Sequence, residues 1–155
     1  MQKMLLILFT TGCSIWARAQ LSEQPATDRI RLTDSVECTV VKDQGQSPTC
    51  WVFGTNSIFE SDVIKQFNTR LNLSEMFIAR YAYIDKAARF LATGGKTYFE
   101  GGGQFHDVIR VVNKYGMVPE EIYNGKPNEQ YSHNHARLDT AMKYYVHGIL
   151  QEGKT

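Results

Sequence analysis

The sequence predicts an α+β domain that is mainly helical, and three observations carry that expectation. Apolar residues recur at helical spacing in four stretches from Cys50 onward. Most of those stretches begin or end at a recognisable cap, glycine or proline. Only one short β-branched run, Val36 to Val41, offers a strand.

Residues 20–35 are polar and contain a proline, which reads as an extended N-terminal arm. The strand expected at Val36–Val41 ends in Asp43-Gln44-Gly45-Gln46-Ser47-Pro48, which is turn chemistry. From Cys50 the spacing turns helical. Phe59, Val63 and Phe67 repeat at i, i+4 and i+8, Ile58 and Ile64 widen the stripe, and Trp51-Val52-Phe53 predicts a first turn buried all round. Ser74 is a good N-cap for a second helix, with Glu75 placed to meet the positive end of the dipole. Its stripe is Phe77, Ile78, Tyr81, Ile84, Ala88 and Leu91, and Gly94-Gly95 stops it. After Gly101-Gly102-Gly103 a third helix covers Gln104–Tyr115, with Phe105, Val108, Ile109 and Val112 inward, Gly116 at its end and Pro119 beyond. A polar loop over 124–134 precedes a last helix marked by Leu138, Met142, Tyr145 and Ile149.

Composition bounds the function classes. The chain has 155 residues, 43% hydrophobic and 21% charged, with net charge +1. That is ordinary globular usage with no basic stripe, so no nucleic-acid footprint is expected. Residues 1–19 read as an export signal: Lys3, then an apolar run from Met4 towards Trp16, then Ala17-Arg18-Ala19 as a cleavage pattern. The run is too short and too interrupted to span a bilayer. Export to the periplasm or exterior is expected after cleavage at Ala19, with lipidation at Cys13 the weaker alternative. About 136 residues then remain, enough for one domain.

Cleavage at Ala19 leaves two cysteines, Cys38 and Cys50. In an exported chain they either form a disulfide or one of them is a reactive thiol. Position favours the second reading for Cys50. A thiol at a helix N-terminus lies among unpartnered amides at the positive end of the macrodipole, which favours thiolate. Gln44 lies six residues upstream. If the loop folds back, its amide and the Cys50 N–H together suit the oxyanion of a tetrahedral intermediate.

Gln44-Gly45-Gln46-Ser47-Pro48-Thr49-Cys50-Trp51-Val52-Phe53 resembles the nucleophile segment of papain-like cysteine peptidases. Leu73-Ser74-Glu75-Met76-Phe77-Ile78-Ala79-Arg80, Tyr83-Ile84-Asp85-Lys86-Ala87, Gly102-Gly103-Gln104-Phe105-His106 and Lys114-Tyr115-Gly116-Met117-Val118-Pro119 look like the bleomycin hydrolase or aminopeptidase C branch. The likeness runs in order from about Val41 to Tyr123. It implies the left, helical domain of the papain-like fold, with the β-rich right domain largely missing, over residues 36–155. It also implies Cys50 as nucleophile, Gln44 as oxyanion-hole side chain, and Gly102, Gly103 and Trp51 as substrate-binding. Peptide substrates are implied, no cofactor or metal, and a homo-oligomer is left open for the full-length form. Ser47 and Glu100 stand where papain has a bridged cysteine pair. Pro48 stands where glycine is usual, so that position has a fixed φ and no N–H.

The general base is the gap. The resemblance implies a histidine and an asparagine roughly 130–150 residues after the nucleophile, beyond Thr155. His106 opens a helix, His133 and His135 read as a solvated polar loop rather than a metal site, and His147 reads as a helix-face residue. The sequence thus leaves three readings: a cysteine-type, aminopeptidase-like peptidase that is incomplete, a truncated or degenerate peptide-binding relative, and an unrelated helical interaction domain with a Cys38–Cys50 bridge.

Overall fold

The computed structural model describes residues 31–128 and 130–153. The signal and its cleavage site lie outside the described residues, as does the arm up to residue 30. The chain divides after Thr33, where residues 31–33 are irregular and exposed, and the unit Asp34–Thr155 holds four helices. These are α1 (Cys50–Phe67), α2 (Glu75–Ala92), α3 (Phe105–Tyr115) and α4 (Ala136–Gln151). Among the described residues there is no strand, only two isolated bridges, Gln46 to Asn134 (parallel) and Leu73 to Pro119 (antiparallel).

The strand expected at Val36–Val41 does not form. That stretch is irregular, and Val36, Val40 and Val41 are 67%, 83% and 100% exposed. With no neighbouring strand to take its backbone groups, it is tied down by side chains instead. The anchor is Lys42, whose Nζ donates to Glu60 Oε1 at 2.9 Å, to the Leu73 carbonyl at 2.9 Å and to Glu75 Oε1 at 2.7 Å. An ammonium has three N–H groups, and all three are used. Glu60 also accepts from the Leu73 N–H at 2.7 Å and from Thr39 Oγ1. Asn56 reaches Glu75 at 3.4 Å. One cation thus serves two buried carboxylates and joins the N-terminal segment, α1 and the start of α2.

That cluster explains why the expected stripe of α1 is only partly inward, with Ile64 buried and Phe59 packed on the core. Its buried face runs through Val52, Thr55, Asn56, Glu60, Ser61 and Ile64, whereas Ile58 and Phe67 are more than half exposed. In the first turn only Val52 is fully buried; Trp51 and Phe53 are partly so. The inner face of α1 is polar in its middle because its partners there are Lys42 and Leu73 rather than an apolar layer.

The apolar core packs Val52 of α1 against Ile78, Ala79 and Ala82 of α2 and Val108 and Val111 of α3. Ser74 caps α2 as expected, accepting from the Phe77 N–H at 3.0 Å while its hydroxyl donates to the Tyr123 carbonyl. Gln104 is the residue before α3 rather than its first, and its N–H donates to Asp107 Oδ2 at 2.9 Å. Phe105, expected inward, is half exposed, and Val111 takes an inward place instead. A second cluster, Phe90, Phe99 and Val146, seats α4 on α2. Ile84, Leu138 and Tyr145 are exposed where burial was expected, because α2 and α4 leave a groove of about 450 Å³ between them that these residues line.

Candidate active site

Cys50 is the first residue of α1, exposed and unbridged. Cys38 is also free and exposed, so the alternative disulfide is absent. The Cys50 N–H, one of the leading amides of an 18-residue helix, meets no acceptor among the described residues.

The loop before Cys50 is held by its own side chains. Asp43 Oδ1 accepts from the Gly45 N–H at 2.8 Å, an Asx turn that reverses the chain at Gly45, where φ is +59°. Gln44 and Ser47 then bond reciprocally: Gln44 Nε2 donates to the Ser47 carbonyl at 2.9 Å, and Ser47 Oγ donates to the Gln44 carbonyl at 2.7 Å. Ser47 Oγ also lies 2.5 Å from Thr49 Oγ1. These bonds do not involve the N–H that Pro48 lacks, and no peptide bond among the described residues is cis. The buried Ser47 thus shapes the loop through a chain of hydrogen bonds. Gln44 and Cys50 stand at the two ends of that loop.

A second brace comes from 133–135. The Gln46 N–H donates to the His133 carbonyl at 2.7 Å, the His135 N–H to the Gln46 carbonyl at 3.2 Å, and Asn134 Nδ2 to Gln46 Oε1 at 2.7 Å. The solvated loop expected here is therefore a support. His133 is buried, and burial, with Lys126 and His135 nearby, holds its imidazole below the ordinary value. Burial likewise lowers His135, whose Nδ1 lies 3.4 Å from the Tyr83 hydroxyl. The sequence shows an H-x-H without the pairing that buries it.

The three glycines of 101–103 are glycine for different reasons. A β-carbon on Gly101 would lie 2.4 Å from Pro48 Cγ, so this glycine lets the two loops touch. One on Gly103 would lie 2.5 Å from Trp51 Cε2, so the indole packs directly on its backbone. A β-carbon on Gly102 would meet nothing within 4 Å, and the residue is exposed, its carbonyl accepting from Lys86 Nζ. Trp51 is fixed by its Nε1–H donating to the Pro48 carbonyl at 3.1 Å and by Lys86 Nζ, 5.5 Å from the ring centre. Trp51 thus links the loop before Cys50 to the glycine loop, with Gly102 exposed beside it. Sequence reasoning missed Lys86 as a member of the site. Its only signal there is its place in Tyr83-Ile84-Asp85-Lys86-Ala87, and nothing local to that motif points to Trp51.

No histidine side chain among the described residues bonds to Cys50. His106 Nε2 lies 3.7 Å from Asp107 Oδ1, His147 packs on Phe90, and His133 and His135 face each other with ring centres 6.3 Å apart. The described residues contain no cluster of three or more His, Cys, Asp or Glu suited to a metal ion, and no helix long and apolar enough to cross a membrane.

The structure places the exposed Cys50 thiol at the start of α1, whereas the Gln44 amide donates to the Ser47 carbonyl rather than to Cys50. No family model matches the chain. It is 26% identical over 112 residues to Cysteine proteinase 1, mitochondrial, of Saccharomyces cerevisiae, covering 60% of this chain and 23% of that protein. It is also 26% identical over 130 residues to Aminopeptidase C of Lactococcus lactis subsp. cremoris, covering 72% of this chain and 28% of that one. The chain therefore spans about a quarter of the length of these curated relatives. Its distant homologues are cysteine peptidases, and its four helices are compatible with a helical part of a papain-like fold.

Proposed function

We propose that this chain is the nucleophile-bearing, helical part of a papain-like cysteine peptidase of the aminopeptidase C type, exported after cleavage near Ala19. Cys50 attacks the peptide carbonyl. The Gln44 amide and the Cys50 N–H receive the oxyanion, the thiol's proton ends on the leaving amine as the C–N bond breaks, and water hydrolyses the resulting thioester to release the acid and restore the thiol. Gly102 and Gly103 pair with the substrate backbone, and Trp51 holds their loop in register with the nucleophile. The observation that carries this reading is the exposed Cys50 at the start of α1, with Gly102 open beside Trp51. Its test is release of N-terminal residues from peptides by the full-length protein: turnover is expected, and its loss in Cys50→Ala. Turnover unchanged in Cys50→Ala would overturn it.

A second reading is favoured by one observation, the absence of an imidazole bonded to Cys50 among the described residues. On that reading the chain is a non-catalytic relative that binds peptides along the same glycine edge. Saturable peptide binding without turnover by the full-length protein is its signature.

A further inference from the structure

We propose that Lys86 and Arg89, on the wall beside the glycine loop, form a specificity site for a carboxylate on the substrate, so that acidic peptides are preferred. This rests on the reading of Gly102 and Gly103 as the substrate-backbone edge. The two cations are three residues apart on α2 and so share one face of the helix. They line a pocket of about 410 Å³ together with Tyr98, Gly102, Gly103 and Asp107. Gly102 and Gly103 belong both to this pocket and to the proposed substrate edge, so a peptide paired with them lies against the two cations.

The charges in the pocket do not cancel. Lys86 Nζ donates to the carbonyls of Glu100 and Gly102 and sits over Trp51, all neutral partners. Two of its three N–H groups are thereby used, and one is left for a ligand. Arg89 is exposed, and no carboxylate pairs with it among the described residues. The acid of the wall, Asp107, is already engaged by the Gln104 N–H at 2.9 Å and by Arg110 Nη2 at 3.1 Å. Glu100, on the same loop, is taken by Tyr98 and by Lys143 at 3.3 Å. Burial lowers the Lys86 ammonium, Asp107 opposes this in part, and the Arg110 and Arg89 charges add smaller lowering effects. The whole chain is close to neutral, with 17 basic and 16 acidic residues, so this local excess is not a bulk property.

The test uses the full-length Cys50→Ala protein, which cannot consume its ligand, and two dye-labelled pentapeptides that differ only in Glu against Gln at two adjacent positions. Fluorescence anisotropy is expected to show the Glu peptide binding about threefold to fivefold more tightly at low salt, the size of an exposed ion pair. The gap should close at about 500 mM salt, where such charges are screened. Arg89→Glu, a change at an exposed side chain, should reverse the preference, and Arg89→Gln should reduce it. Equal affinities, a Glu preference that survives Arg89→Glu, or no saturable binding of either peptide would overturn the proposal. Alkylation of Cys50 in the unsubstituted protein reads the peptidase assignment separately. A charge preference with an inert Cys50 upholds the pocket and removes the peptidase reading; a reactive Cys50 with no charge preference does the reverse.

Discussion

Gly103 lies so close to Trp51 that a β-carbon there would sit 2.5 Å from the indole, while the neighbouring Gly102 faces open space. The packing of the segment around Trp51 on the glycine loop therefore depends on position 103, and on the proposed function position 102 is left for substrate. Gly103→Ala is expected to cost about 1–3 kcal/mol, because a rigid ring must move to admit the methyl group. Gly102→Ala is expected to change stability by less than about 0.5 kcal/mol yet weaken peptide binding. Urea unfolding of both variants, with peptide affinity measured on each, separates the two roles; equal stability losses would contradict it.

Lys42 holds two buried carboxylates with three donors, so Lys42→Met should be far more harmful than loss of a surface ion pair. Removing it leaves Glu60 and Glu75 without their counter-ion, at a cost of about 3–5 kcal/mol. Burial already pushes the Glu75 carboxyl above its ordinary value. A carboxyl raised in the fold adds stability below its ordinary value, and that contribution is lost as pH rises through the folded value. The deficit of Lys42→Met should therefore shrink on acidification towards the carboxylate range. Chemical denaturation at several pH values checks this, and a deficit that grows on acidification would be contrary.

The 133–135 brace should loosen in mild acid. Burial, full for His133 and partial for His135, holds both imidazoles below the ordinary value of 6.5. A base lowered in the fold contributes stability above its unfolded value, lost as pH falls through the folded value. Thermal stability should thus decline as pH drops below about 6.5, and less steeply in His133→Asn. A melting temperature flat from neutrality to about pH 5 would rule out this coupling.

Gly45 should not tolerate a side chain. Its φ is +59°, and a β-carbon would lie 2.5 Å from the His133 carbonyl oxygen. Gly45→Ala is expected to lose about 1–3 kcal/mol and, by shifting the Gln44–Ser47 bonds, to slow Cys50 modification. Modification rates unchanged in a destabilised variant would separate loop geometry from thiol reactivity.

The helices were legible because their signals are local. Ser74, Gly94 and Gly116 mark ends that the chain respects, and Cys50 starts α1 as its pattern predicts. Burial was less legible because it depends on partners distant in sequence. Ile58 and Phe67 fit a helical stripe, yet the face that packs inward carries Glu60, whose partner Lys42 lies 18 residues earlier. Glu60 was itself a clue, a charged residue between Phe59 and Val63 in the stripe. Val36–Val41 has strand composition without a strand to pair with, and composition cannot supply one. His133 and His135 looked solvated because the segment they share with Asn134 is held by Gln46, which lies 88 residues before Asn134.

Whether Cys50 is a competent nucleophile beside a peptide-binding edge is tested most directly by intact-protein mass spectrometry after exposure to a peptidyl epoxide. The exposed Cys38 serves as an internal control. One adduct per chain, mapped to Cys50, absent in Cys50→Ala and suppressed by competing peptide, is the predicted result. Labelling of Cys38 and Cys50 at equal rates, or none at Cys50, would contradict it.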